Sequence, residues 1–191
     1  MNSIINIFKK REKYWFDKIA PFLGEETVQI LKIGNGFGYM SEMISDIQPL
    51  VKILDINIYK ETINKDKVQL YNGRNIPFED NSFNISILNL TLHHIPNNLE
   101  YFKEVVRVTK NRIILVEETY DNLLQKVHLI FRDWFVNYKA GRSSRLFWSS
   151  YFSKKMIEQL ISENNLVLTY RYSEKHHSYY KELLVFERSI L

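Results

Sequence analysis

From Val28 onward, short apolar runs alternate with helix-like stretches, and that alternation leaves few folds open to the chain. VQILKI, VKILDI, KVQLY, FNISILNL and NRIILVEE read as strands. Between them lie FGYMSEMISDI, with Met40, Met43, Ile44 and Ile47 on one face, a short YKETIN, and NLEYFKEVVRV, with Leu99, Phe102, Val105 and Val106 turned inward. Apolar strands separated by helices make a parallel sheet covered on both faces. The C-terminal part departs from this rhythm. SKKMIEQLISE predicts a helix capped by Ser153, and NLVLTYRYS and YKELLVFER follow with only a short polar turn between them, which requires an antiparallel hairpin. The expectation is an α/β fold with a seven-stranded, mostly parallel sheet, helices on both faces and a C-terminal antiparallel hairpin.

A chain of 191 residues suits one domain, 1–191. Residues 1–24 place Ile4, Ile7, Phe8, Trp15 and Ile19 among lysines, which predicts an amphipathic helix ended by Pro21 and Gly24 that covers the core or an active site. Residues 119–150 interrupt the strand–helix rhythm with an aromatic-rich insert, read as a helical lid. The apolar runs fall well short of the roughly 20 residues a membrane span needs, so no stable membrane insertion is expected. With no cysteine there is no disulfide framework or thiolate metal site, and a cytoplasmic location is the default. The net charge of +4 is scattered among acids, which reads as a solvated surface and makes nucleic acid an improbable partner. Homo- or hetero-oligomers remain open.

ILKIGNGFGYM sets Gly34, Gly36 and Gly38 at the end of the first strand, where an open α/β sheet binds its ligands. A dinucleotide fingerprint needs glycine at the first, third and sixth positions. Counted from Gly34, the sixth is Tyr39, so the nicotinamide reading weakens. Asp55 closes VKILDI 17 residues beyond Gly38, where a carboxylate can accept hydrogen bonds from both hydroxyls of a ribose.

Taken in order, ILKIGNGFG, LDIN, YNGRNIPFEDNSFNISILNLTLHHI and EVVRVTKNRIILVEE resemble the class I S-adenosylmethionine-dependent methyltransferases, and most closely the small-molecule branch that includes ubiquinone and menaquinone biosynthesis enzymes. The resemblance implies a Rossmann-like fold from about Val28 to the C-terminus. It implies that Gly34, Gly36 and Gly38 line the methionine and ribose part of S-adenosylmethionine, that Asp55 holds the ribose and that Ile56 lies against the adenine. Asn72 and Gly73 stand where an acid often bonds the adenine amino group, and Leu90 falls beside the methionine moiety. Three positions depart from the family pattern. Lys32 replaces the acid near the end of the first strand, Asn72 replaces an aspartate, and Asn84 stands where aspartate is usual. At about 6 Å and an effective dielectric of about 20, an ammonium facing a sulfonium costs roughly 3 kcal/mol. Either a lysine head group reaching water or pairing with Glu117 or Glu118 would relieve it.

The resemblance thus implies methyl transfer to a small acceptor. His93 and His94, which follow the fourth strand, are candidate general bases, and no metal is expected. Phe131, Trp134, Phe135, Tyr138, Phe147 and Trp148 suggest an apolar or aromatic acceptor. The alternative is a catalytically inactive methyltransferase fold acting as a partner or regulatory subunit, with Lys32 as its main support.

Overall fold

The computed structural model describes residues 2–142 and 147–189; Ser143 to Leu146, which the insert at 119–150 includes, lie outside the described residues. Seven strands form one path: β1 (Ile30–Ile33), β2 (Val51–Asp55), β3 (Val68–Leu70), β4 (Phe83–Asn89), β5 (Thr109–Tyr120), β7 (Leu166–His176) and β8 (Tyr179–Arg188). Their order is β3-β2-β1-β4-β5-β8-β7, and β6 (Phe152–Ser153) adds a two-residue parallel pairing to the end of β5. The first five strands run parallel, and β8 lies antiparallel to both β5 and β7. The chain leaves β1 in one direction and returns on its other side with β4, which opens a crevice at the carboxyl ends of these two strands.

All four residues of β1 are buried, so successive side chains supply two separate cores. Leu31 and Ile33 join Phe102 and Val105 of α3 (Asn98–Val108) and Ile157 and Leu160 of α5 (Lys154–Glu163). Ile30 joins Met40 and Ile44 of α2 (Tyr39–Ile47) and Trp15 and Ile19 of α1 (Asn2–Ile19) on the other face. Lys32 shares a face with Ile30, two residues before it, and therefore points toward α1 and α2. The inward stripe of α1 is Phe8, Glu12, Trp15 and Ile19, while Ile7 faces solvent. Ser153 caps α5 by accepting from Met156 N–H, as the sequence predicted.

YKETIN does not form a helix. These residues are instead bonded to the glycine loop: Thr62 Oγ1 donates to Gly36 O (2.9 Å), Ile63 N–H to Phe37 O (3.1 Å) and Asn64 Nδ2 to Gly38 O (3.4 Å). Donors and acceptors spent on a neighbouring loop are not available to a helical turn.

The three glycines are not equivalent. A Cβ at Gly34 would stand 2.3 Å from Thr91 Oγ1, and one at Gly38 2.2 Å from Asn64 Oδ1, whereas at Gly36 the nearest atoms are 3.8 Å away. Gly34→Ala should therefore lose about 2–4 kcal/mol from overpacking and a strained positive φ. Gly36→Ala should lose only about 1 kcal/mol, from backbone strain alone. Urea denaturation of both variants checks the ranking; equal losses would contradict it.

Candidate active site

A cavity of about 500 Å³ occupies the crevice between β1 and β4, and its floor is the loop after β1. Asp55 anchors that floor. Its Oδ2 accepts from Asn35 N–H (2.6 Å) and Gly36 N–H (3.1 Å), and its Oδ1 from Ile56 N–H (2.7 Å) and Asn57 N–H (3.2 Å). Four backbone donors match the four lone-pair sites of a carboxylate. The carboxylate thus ties the glycine loop to the end of β2, and a sugar hydroxyl bonding to it would displace or share one of these donors. Gly34, Gly36, Asp55, Ile56, Asn72, Gly73 and Leu90 all line the cavity, but Gly38 does not: it ends the loop against Asn64 and opens α2.

Lys32 is buried in the cavity wall, not extended into water, and neither Glu117 nor Glu118 pairs with it. Its Nζ donates to Gly34 O (2.6 Å) and Ile33 O (3.1 Å). Burial lowers its pKa to about 8, against the opposing charges of Glu12 and Asp55. Glu12, only 6% exposed, comes from α1, and its Oε2 accepts from Met40 N–H at 2.8 Å. Its Oε1 stands over Gly36, 3.8 Å from the position of a Cβ there, beside the Arg142 guanidinium. Phe8, Phe37 and Tyr59 present their rings to Arg142 with centroids 4.9–5.4 Å from Cζ, fixing that cation over the loop. Sequence reasoning missed Glu12 and Arg142. The signal for Glu12 was a carboxylate on the apolar stripe between Phe8 and Trp15, where an unpaired acid is costly.

Across the cavity, Ile56 is 47% exposed, and its Cγ2 lies 2.8 Å from where a Gly73 Cβ would sit, so these two residues pack against each other and form one wall. Asn72 lies beside it, with Oδ1 accepting from Arg74 N–H (2.9 Å) and Asn75 N–H (3.1 Å). Asn84 Oδ1 accepts from Gln29 N–H at the start of the sheet, away from the cavity.

The loop after β4 is held by Glu117, which is fully buried on β5. Its Oε1 accepts from Thr91 N–H (3.1 Å) and Leu92 N–H (2.7 Å), and its Oε2 lies 2.5 Å from His93 Nδ1. With Leu90 N–H bonded to Val116 O, this anchoring keeps Leu90 at φ 51°, a left-handed conformation that leucine rarely adopts. His93 is buried and stacks on Tyr151, and His94 lines the cavity. Burial alone would lower the His93 pKa, but the charge and hydrogen bond of Glu117, helped by Asp133 and Glu118, raise it to about 9. Asp133 comes from α4 (Leu123–Lys139) and is itself held by Tyr151 OH and Asn137 Nδ2, both at 2.8 Å.

The aromatics of the insert lie elsewhere. Phe131, Trp134, Phe135 and Tyr138 form a mutually stacked stripe on the outer face of α4, and Trp148 is also exposed. Only the polar inner face of α4 reaches the cavity, through Asn137. Among the described residues, the aromatic rings that line the cavity are instead Tyr59 and Tyr71, because the 3.6-residue period turns those of α4 outward.

Glu117→Gln should drop the His93 pKa from about 9 to below the ordinary value of 6.5, because burial then acts without its main opposing charge. In the parent protein this pair stabilises the fold fully below pH 6.5 and loses its contribution as pH rises through 9. An NMR titration of the His93 ring checks both points; an unchanged pKa in the variant would contradict the assignment.

Comparison with known proteins bears on this geometry. A sequence profile of a methyltransferase domain matches residues 31–116. An uncharacterised protein of Methanocaldococcus jannaschii is 27% identical over 123 residues, 63% of this chain and 53% of that protein. The chain thus spans about half the length of the curated relative it matches. Among solved structures, geranyl diphosphate C-methyltransferase from Streptomyces coelicolor, in complex with Mg2+, geranyl diphosphate and S-adenosylhomocysteine, has a TM-score of 0.73 at 12% identity, covering 98% of this chain and 83% of that one. Magnesium protoporphyrin IX methyltransferase from Synechocystis, with bound S-adenosylhomocysteine, has a TM-score of 0.68 at 13% identity, covering 95% and 84%. The chain has the fold of the S-adenosylmethionine-dependent methyltransferases.

Proposed function

We propose that this chain is a class I methyltransferase of the small-molecule branch, which binds S-adenosylmethionine in the crevice between β1 and β4 and methylates a small acceptor. The observation that carries the reading is Asp55 tying down the glycine loop at the mouth of that crevice. The profile match over residues 31–116 covers the same elements. The residues fit the cofactor: the backbone of Gly34 and Gly36 forms a bare floor, Asp55 receives the ribose, and the exposed side of Ile56 takes the adenine. Asn72 and Gly73 border that wall, and Leu90 flanks the methionine end. When bound, the cofactor supplies an electrophilic methyl carbon on a sulfonium. The protein's part is to hold that carbon in line with the acceptor.

Glu12 and Arg142 complete the methionine end of this reading. Glu12 faces the ammonium group in place of the acid that Lys32 displaced, and Arg142 faces the carboxylate. α1 and α4 act as cover and lid. His93, protonated up to about pH 9, is a poor base at neutral pH. Proton acceptance falls to His94, on the cavity wall. Lys32 was the argument for a non-catalytic partner subunit. Its burial against Gly34 O, with Glu12 and Asp55 nearby, weakens that argument.

The Lys32 pKa near 8 gives the reading a pH signature. Below 8 the ammonium opposes a sulfonium, and above it the neutral amine does not. Relative to S-adenosylhomocysteine, which carries the same α-amino group, affinity for S-adenosylmethionine should rise on the order of tenfold between pH 7 and 9. S-adenosylhomocysteine, without the sulfonium charge, should respond less, and Lys32→Met should flatten the rise. Calorimetric titration of both ligands across this range is the test. No binding at any pH would sink the proposal.

Glu12→Gln keeps an acceptor for Met40 N–H but removes the charge. It should weaken S-adenosylmethionine about tenfold or more and leave 5′-methylthioadenosine, which lacks the amino-acid end, unchanged. Equal loss for both ligands would reduce Glu12 to a structural cap on α2.

A further inference from the structure

A second, smaller hollow of about 20 Å³ lies beyond Leu90, lined by Arg11, Leu90, His93, His94, Glu118, Asp133, Asn137 and Arg142. Five of these residues also line the main cavity, so the hollow is its inner end. Three nitrogens there are buried without a partner among the described residues: Arg11 Nε, Arg142 Nε and His93 Nε2. His93 is 2% exposed, and its other nitrogen is committed to Glu117, so Nε2 is the atom left to bond. Burying such donors unmade costs about 1–3 kcal/mol each, more for charged groups.

The acids at the hollow's rim are already engaged. Glu118 Oε1 lies 2.9 Å from Arg132 and 3.9 Å from Lys181. Asp133 is held by Tyr151 and Asn137, and its Oδ1 stands 4.0 Å from His93 Nε2, beyond hydrogen-bond range. The pull of Glu117 also keeps His93 cationic to about pH 9. His93, His94 and Asp133 present ligand atoms within 4.8 Å of one another, but a divalent cation there would share the hollow with two guanidinium groups. Positively charged donors converging on a small space select an anion, and the planar Nε edge of an arginine matches the two oxygens of a carboxylate.

We infer that this hollow is the anchoring subsite for the acceptor, and that the acceptor is a small molecule carrying a carboxylate, received by Arg11 Nε and His93 Nε2. The inference rests on the methyl-transfer reading above and replaces the apolar acceptor suggested by the aromatic composition. A carboxylate could also come from the methionine end of the cofactor. Arg142 stands over Gly36 and serves that end, whereas His93 lines the inner hollow and not the main cavity.

The test uses the full chain saturated with S-adenosylhomocysteine and compares benzoate with benzamide, and hexanoate with hexanamide, by calorimetry and by the His93 ring signals. The carboxylates should bind at least tenfold tighter than their amides and shift the His93 resonances. Arg11→Gln should abolish the preference while keeping the ratio of S-adenosylhomocysteine to 5′-methylthioadenosine affinity within about twofold of the parent's. Because the Arg11 guanidinium also packs on Phe8, its Cζ 4.5 Å from the ring centroid, Arg11→Lys is the second variant, and it should retain part of the preference. Equal binding of acid and amide overturns the inference, as does displacement of benzoate by chloride at comparable concentration. Loss of S-adenosylhomocysteine but not 5′-methylthioadenosine affinity in Arg11→Gln would assign the hollow to the cofactor and also overturn it. If the parent protein binds no S-adenosylhomocysteine, the methyl-transfer reading has failed on its own. The same comparison on the cofactor-free protein then decides the anion site separately.

Discussion

Glu117, fully buried on β5, is the group around which the crevice end of the molecule is arranged. A carboxyl group buried in that position is tolerable only if its oxygens are hydrogen-bonded, and the chain supplies two backbone N–H groups and an imidazole. This one requirement sets the path of the chain after β4, holds Leu90 in a left-handed conformation and orients His93. Asp55 does the same for the loop after β1. The crevice is thus bounded by two loops, each fastened to a strand-end carboxylate. A rigid sheet with site-forming loops at its carboxyl edge is how an open α/β fold keeps a binding surface precise without burying loop backbone unpaired.

The electrostatics of the crevice follow from one exchange. β1 brings a cation, Lys32, into the wall, and α1 brings an anion, Glu12, across the glycine loop from the opposite side. Each perturbs the other: burial lowers the Lys32 pKa and raises that of Glu12, and their mutual attraction opposes both shifts. The result is a site whose charge balance depends on a helix outside the sheet. α1 therefore does more than cover apolar surface. Without Glu12, the main cavity would offer a cationic ligand, among the described residues outside the inner hollow, only Asp55, whose acceptor sites are already occupied by backbone.

Much of the fold was legible because strand and helix periods differ and because β1, β4 and β5 are apolar on both faces. Ser153 announced its helix and the short turn announced the hairpin. YKETIN misled because its helical spacing is genuine locally, but Thr62 and Asn64 bond to the glycine loop, a contact that no local pattern encodes. The glycines and Asp55 were visible as a motif. That Gly34 and Gly38 are small to admit Thr91 and Asn64 was not, since those partners are distant in sequence. The same reason hid Glu12, Arg11 and Arg142. The aromatics of α4 were misjudged because composition reports what a segment contains and not which face it presents; counting the period from Leu129 and Asp133 would have turned them outward.

The central claim is that this crevice receives S-adenosylmethionine with Glu12 standing in for the displaced acid. A crystal structure of the protein soaked with S-adenosylhomocysteine tests it most directly. The ribose hydroxyls should lie on Asp55, with at least one of its backbone donors displaced, the adenine against Ile56 beside Asn72 and Gly73, and the amino group on Glu12 Oε1. An empty crevice at saturating ligand, or a bound ligand whose amino group faces solvent away from Glu12, would contradict it.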